Sequence, residues 1–322
     1  MKVGLLAGTG ENVGLGHLKR CLAIAISLKK LSHNIELIIE NEYFIDWIHE
    51  YGFSYESMHN QSTDYDLIII DKYGIDEIFL QEIKKKCNIL ARVDDAFSLF
   101  KDHISDILIN CNPYAEETLY HGLLKRDCHL ILGKDFVPME YKFCRLREAY
   151  QVKSSVRNIT LTFGGSENIE FVKLVCERIS MINKFTNIFV LNGAILKSDL
   201  SSSTVSNLKL LPLIRNVEDI FSLSDLVICS ASTTCWQLCA VGIPFICFQT
   251  ADNQKHNFEY IKSTKVGVAL ENDALNDGRL ENEIINLDSN KRQSMFIGSR
   301  RLIDCRGSDR IAKTVTQPLN SI

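Results

Sequence analysis

The chain contains no C-x-x-C pair, no H-x-E and no H-E-x-x-H, so the spacings that most often announce a zinc site are missing. Its eleven cysteines are scattered, and Cys235 and Cys239 fall at helical spacing inside an apolar segment. That pattern reads as buried thiols in a reducing compartment and not as a disulfide framework. No apolar run approaches a membrane span: Leu67 to Ile70 and Ile243 to Phe248 have strand length, and Met1 to Leu6 is too short for a signal-peptide core. The formal net charge is -4 and there is no long basic stripe, which leaves no electrostatic case for nucleic acid. The expectation is a cytoplasmic, soluble monomer with no metal, no cofactor, no nucleic-acid partner and no membrane span.

What is present is 322 residues, enough for two domains with substantial cores. The chain is organised around Leu5 to Leu22, LLAGTGENVGLGHLKRCL, an apolar start running into a glycine-rich loop and then a helix. Gly8, Gly10, Gly14 and Gly16 permit tight turns and close approach of a ligand, and amides at the following helix N-terminus suit phosphate. No G-x-G-x-x-G register fits the loop, so it speaks for phosphate more than for a dinucleotide. Leu18, Cys21, Leu22, Ala25, Ile26 and Leu28 recur with helical spacing, which puts His17 at the helix entrance. There the helix dipole favours the neutral imidazole. His17 is either a turn or capping residue or a candidate general base.

Short apolar runs alternate with helical patterns through the first half, at Val3 to Leu6, Ile35 to Ile39, Leu67 to Ile70, Ile89 to Val93 and Ile107 to Ile109. Such alternation predicts a mostly parallel sheet covered on both faces, with ligands at the carboxyl ends of its strands. Polar clusters fall at those ends. The first is Asp71-Lys72-Tyr73-Gly74, in which Asp71 reads as a helix cap or a functional residue and Tyr73 as a sugar contact. The second is Asp94-Asp95, whose side chains point to opposite faces, so that one caps or orients a neighbour. The third, Asn110 to Tyr114, is a turn or a loop over the site.

A boundary is expected near Gln151 to Arg157, dividing the chain into domains 1–153 and 154–322, with the last helix packing back on the first domain. A new strand, Ile159 to Phe163, then ends in Gly164-Gly165-Ser166 before a helix, repeating the plan of the N-terminus. Further strands are expected at Ile188 to Leu191, Leu208 to Leu210, Leu226 to Cys229 and Phe245 to Phe248. The run Ser230-Ala231-Ser232-Thr233-Thr234 opens a helix that Gly242 and Pro244 stop. One of these hydroxyls can cap; four in five positions exceed that need, and with the helix amides they would hold a diphosphate. Asn253 and Gln254 follow the next strand, at the same mouth. Two such halves facing across a cleft make an α/β fold of two Rossmann-like domains.

These motifs, in this order, resemble those of the UDP-sugar hydrolases of pseudaminic acid biosynthesis, in the GT-B glycosyltransferase-like superfamily. The resemblance runs from Gly14-Leu15-Gly16-His17-Leu18-Lys19-Arg20-Cys21 through Asp71 to Gly74, Asp94-Asp95, Asp106 to Ala115, Gly164 to Ser166, Ser230 to Trp236 and Gly242 to Pro244, and closes on Asp304 to Ile311. It implies a GT-B fold and metal-independent, inverting hydrolysis of a UDP-linked diacetamido-trideoxy sugar, with water activated by His17. It implies sugar contacts from Gly14, Gly16, Lys72, Tyr73 and Asp95, and a nucleotide held by Gly164, Gly165, Ser230, Ser232, Thr233, Thr234, Gln237, Asn253 and Gln254. Lys72 stands where the family often has a histidine, and Gln237 where it usually has an acid. The alternatives are a glycosyltransferase with the same donor site and a non-catalytic nucleotide-sugar-binding protein.

Overall fold

The computed structural model describes residues 1–9, 16–42, 44–58, 64–94, 101–125, 127–164, 169–182, 187–191, 207–212, 214 and 216–317. Gly14, Asp95 and Gly165 lie outside the described residues. The chain divides into two compact units, Met1–Tyr141 with Cys305–Ile322, and Lys142–Asp304.

Among its described residues the first unit carries seven strands: β1 (Lys2–Ala7), β2 (Asn34–Ile39), β3 (Ser54–Ser57), β4 (Tyr65–Asp71), β5 (Cys87–Val93), β6 (Ile107–Asn110) and β7 (His129–Leu132). They pair in parallel in the order β3-β2-β1-β4-β5-β6-β7. Nearly every residue of β1 and β4 is buried, as continuous apolar runs in a parallel sheet should be. Alternation sorts the residues of β4 by face. Leu67 and Ile69 join a core with Leu18, Cys21, Leu22 and Ala25 of the first helix, Gly16–Lys30, while Ile68 and Ile70 join one with Leu80 and Ile83 of the helix Glu77–Lys84.

The second unit repeats the plan with β8 (Asn158–Thr162), β9 (Asn187–Val190), β10 (Leu208–Leu210), β11 (Leu226–Ser230), β12 (Phe245–Phe248) and β13 (Val268–Leu270). Again all are parallel, in the order β10-β9-β8-β11-β12-β13. In each sheet the strand order reverses once, between β1 and β4 and between β8 and β11. In doubly wound sheets these switch points are where ligands bind, beyond the carboxyl ends of the strands.

By its contacts the chain passes into the second unit at Lys142. The helix Tyr141–Ala149 belongs almost wholly to the second unit, because its side chains anchor there. Phe143 packs with Phe221 at 6.3 Å between ring centroids. Arg147 donates to the carbonyls of Ala240, Arg300 and Ile303 at 2.5 to 2.9 Å, and the Tyr150 hydroxyl donates to the carbonyl of Ser224 at 3.2 Å. The closing helix, Gly307–Val315, is part of the first unit, with Ile311, Ala312 and Val315 in its core. Gly307 is needed for that docking, since a Cβ there would stand 2.0 Å from the carbonyl oxygen of Val137. The Ser308 hydroxyl accepts from the amide of Met139, and Asp309 accepts from Ser27. Among the described residues no helix is long and apolar enough to cross a membrane.

Candidate active site

The first helix starts at Gly16, and His17 is its second residue. His17, Arg20 and Cys21 stand at i, i+3 and i+4, which places them on one face. That face meets the end of β4, where Asp71 continues the Leu67 and Ile69 side of the sheet. Strands β1 and β4 stay together past their last pair: the Gly8 amide donates to the carbonyl of Asp71 at 2.8 Å, and a Cβ on Gly8 would lie 2.9 Å from that of Lys72. Asp71 is buried and receives three strong contacts at 2.6 Å, from His17 Nδ1 and Arg20 Nη2 to Oδ1 and from Arg20 Nε to Oδ2. The Cys21 thiol adds a fourth at 4.0 Å.

Burial alone would raise the Asp71 carboxyl, but the Arg20 guanidinium and then His17 pull it down to about 2. It is therefore a carboxylate at neutral pH, and a carboxylate only accepts. The proton between it and His17 belongs to Nδ1. Arg20 Nη2 also lies 3.2 Å from Nδ1, but two donors cannot bond each other, and Nη2 donates to Oδ1 instead. In neutral His17 the lone pair is then on Nε2, the arrangement of a general base oriented by an acid. Among the described residues none hydrogen-bonds Nε2. The Tyr73 ring stands edge-on to the imidazole at 4.5 Å and 88°, with 48% of its surface exposed.

Asp71 is thus not a helix cap. That task falls to Asp76, whose side chain accepts from the amide of Phe79 at 2.8 Å. Lys72 points away from His17, to the opposite face of the sheet, where its ammonium meets Glu40 at 2.5 Å and lies 4.8 Å from the Phe79 ring centroid. Gly16 is exposed at the helix start with nothing near a notional Cβ. Asn110 donates to the Tyr120 hydroxyl and accepts from the amide and side chain of Asn112, which makes Asn110 to Tyr114 a turn tied to its own unit.

In the second unit the hydroxyl run sits at the end of β11, beside β8 and Gly164. Gly164 has φ +99°, open to glycine alone without strain, and space around its Cα. Ser232 caps the helix Thr233–Val241, accepting from the amide of Thr234. Ser230 is buried and contributes inward, donating to the carbonyl of Phe163 and to Ser232 Oγ at 3.4 and 3.2 Å. These bonds tie the start of the hydroxyl run to the end of β8 and to the capping serine. Thr233 is exposed and Ser232, Thr234 and Gln237 are half-buried, so these can present hydroxyl and amide groups. Asn253 is exposed on the turn Asp252–Gln254, and Gln254 Oε1 accepts from both the amide and hydroxyl of Thr250. Asn257 was not foreseen: its amide group donates to the carbonyl of Ala231 at 3.2 Å, and its buried Oδ1 has no hydrogen-bond partner among the described residues. Arg20 and Glu40 were also missed as partners of site residues, although the H-x-x-R-C spacing by itself places Arg20 and Cys21 on the face of His17.

Among the described residues no group of three His, Cys, Asp or Glu side chains could hold a metal ion. What the described arrangement offers is one oriented imidazole in the first unit and a cluster of neutral donors in the second.

Residues 159–300 match the glycosyltransferase family 28 C-terminal domain. An uncharacterised protein of Methanocaldococcus jannaschii is 26% identical over 81% of this chain and 58% of its own length. The UDP-2,4-diacetamido-2,4,6-trideoxy-beta-L-altropyranose hydrolase of Campylobacter jejuni is 28% identical over 52% of this chain and 61% of its own. The chain thus spans about three fifths of the curated relatives it matches. Among solved structures, Acinetobacter baumannii MurG is similar with a TM-score of 0.65 at 13% identity, covering 98% of both chains. Anabaena HepE in complex with UDP and glucose gives 0.65 at 12% identity over 99% of this chain and 100% of its own. The Neisseria meningitidis UDP-GlcNAc 2-epimerase bound to UDP-GlcNAc gives 0.63 at 10% identity, over 98% and 99%. The chain has the GT-B fold, two parallel-sheet Rossmann-like domains, with a second unit like that of family 28 glycosyltransferases.

Proposed function

We propose that the protein hydrolyses a UDP-linked diacetamido-trideoxy sugar to UDP and the free sugar, with His17 as general base. The observation that carries this reading is the His17 and Asp71 couple at the switch point of the first sheet, with Nε2 left as acceptor beside Tyr73. The Campylobacter jejuni relative, which bears the name of such a hydrolase, supports the substrate class.

The water oxygen attacks the anomeric carbon while His17 Nε2 takes its proton. The bond from that carbon to the β-phosphate oxygen breaks, and the electron pair leaves with UDP. Attack opposite the leaving group inverts the anomeric centre. The leaving diphosphate carries the charge that must be stabilised. Amides at the start of the helix Thr233–Val241 and the hydroxyls of Ser232, Thr233 and Thr234 suit that charge, with Gly164 letting backbone approach. Gln237, Asn253 and Gln254 are the side chains assigned to the nucleoside, and Tyr73 to the sugar. Gly14, Gly16, Asp95 and Gly165 keep their place in this reading through the resemblance of their motifs.

The family 28 match over residues 159–300 favours a second reading, transfer of the sugar to an acceptor hydroxyl. Incubation with UDP-sugars in the absence of any acceptor separates the two. Release of UDP together with a reducing sugar supports hydrolysis; UDP release that requires an added acceptor refutes it.

A further inference from the structure

A buried carboxylate 2.6 Å from an imidazole nitrogen has two opposed effects. It orients the ring, and it attracts a second proton onto it, because an imidazolium facing an isolated carboxylate is favoured by their opposite charges. His17 with both nitrogens protonated has no lone pair left to accept a proton.

Arg20 stands one turn along the same helix face, and its Nε and Nη2 each lie 2.6 Å from a different oxygen of Asp71. This is the planar two-bond fork that arginine makes with a carboxylate, and the guanidinium keeps its charge at any working pH. Arg20 is itself buried, so little solvent screens it from the pair. Its Nη2 lies only 3.2 Å from His17 Nδ1, which sets a fixed positive charge against the imidazole as well as against the carboxylate.

We propose that Arg20 is a positioning residue that keeps His17 a neutral base: by neutralising Asp71, it lets the carboxylate orient the imidazole without loading a second proton onto it.

The other groups around the ring do not supply that charge. Cys21, on the same helix face, is a thiol held protonated by burial and by the nearby Asp71. Tyr73, after β4, presents an aromatic ring perpendicular to the imidazole. Cys111, just past β6, is buried beside Cys21. Lys72 and Glu40 pair on the opposite face of the sheet. Among the described residues, Arg20 is the fixed cation that contacts Asp71.

The kinetic consequence rests on His17 being the base proposed above; the proton balance does not. The test is an NMR titration of the His17 ring in the wild type, Arg20→Lys and Arg20→Gln, assigned with His17→Gln, alongside kcat/KM for a UDP-sugar as a function of pH. The His17 midpoint should rise by at least about one pH unit in Arg20→Gln and by less in Arg20→Lys. The acid limb of kcat/KM should rise with it, so that the lost rate returns at higher pH. Midpoints that stay or fall overturn the proposal, as does a rate loss equal at every pH. If Arg20→Gln does not fold, Arg20→Lys decides by the same criterion: a raised midpoint supports the proposal and an unchanged or lowered one overturns it. If the wild type hydrolyses no UDP-sugar, the functional reading falls while the NMR midpoints still decide the role of Arg20.

Discussion

His17 and Asp71 are 54 positions apart in the chain, yet Nδ1 of one lies 2.6 Å from Oδ1 of the other. The contact joins the start of the first helix to the end of β4 and leaves Nε2 as the accepting nitrogen. His17→Leu should therefore fold and lose about two to four decades in kcat/KM, the usual size of a general-base contribution. Steady-state kinetics on the folded variant checks this. Turnover within a few-fold of wild type would remove His17 from the mechanism.

The same cluster makes stability depend on pH at the acid end. Burial opposes ionisation of Asp71, but Arg20 and His17 hold its carboxyl at about 2, against an ordinary value of 3.8. A carboxylate depressed in the folded state stabilises fully above its unfolded value and stops doing so as pH falls through the folded one. Between about pH 4 and pH 2 this residue should withdraw on the order of 2 kcal/mol. In Asp71→Asn that dependence vanishes, while stability at pH 7 falls by about 3–5 kcal/mol because Arg20 is left buried without its counter-charge. Urea unfolding of both proteins at pH 7 and pH 3 reads the difference. An equally steep acid loss in the variant would show that the dependence comes from elsewhere.

Gln237 is half-buried on the helix that Ser232 caps, where the resemblance expects an acid. Gln237→Glu should tighten UDP by roughly 1 kcal/mol, as a neutral hydrogen bond to the ribose hydroxyls becomes charge-assisted. The gain should appear in affinity and not in the chemical step. Calorimetric titration with UDP and with CMP measures it; weaker UDP binding, or a wild type that prefers CMP, would overturn the nucleotide assignment.

Gly307→Ala should detach the closing helix from the first unit. Its Cβ would stand 2.0 Å from the carbonyl oxygen and 2.5 Å from the carbonyl carbon of Val137, and backbone yields less readily than a side chain. Overpacking of this kind costs about 1–3 kcal/mol. Hydrogen exchange should speed up in the helix Gly307–Val315 and leave the second unit unchanged. Unaltered protection there would mean that the contact relaxes without cost.

Much of this architecture is legible in the sequence because parallel strands covered on both faces are continuous apolar runs. Leu67 to Ile70 and Phe245 to Phe248 identify themselves in that way. The strands missed by sequence reading are β3, β7 and β13: SYES is too polar, and all three lie at sheet edges where one neighbour is absent and burial is partial. At the site, glycines and hydroxyls mark the loops, but a partner is invisible when it is far along the chain. Asp71 reads as a cap or a functional residue because Asp, a good capping residue, precedes a helix; only the fold turns it toward His17 and gives the cap to Asp76. Lys72 is a milder case. Alternation along β4 already sends it to the face opposite Asp71, where Glu40 waits at the end of β2.

The most direct test of the account is to run the reaction without acceptor in water labelled with oxygen-18 and weigh the UDP by mass spectrometry. Attack at the anomeric carbon with His17 as base leaves the diphosphate oxygens untouched, so the predicted UDP carries no label and the label enters the sugar. Oxygen-18 in the nucleotide product would place the attack at phosphorus and contradict the mechanism.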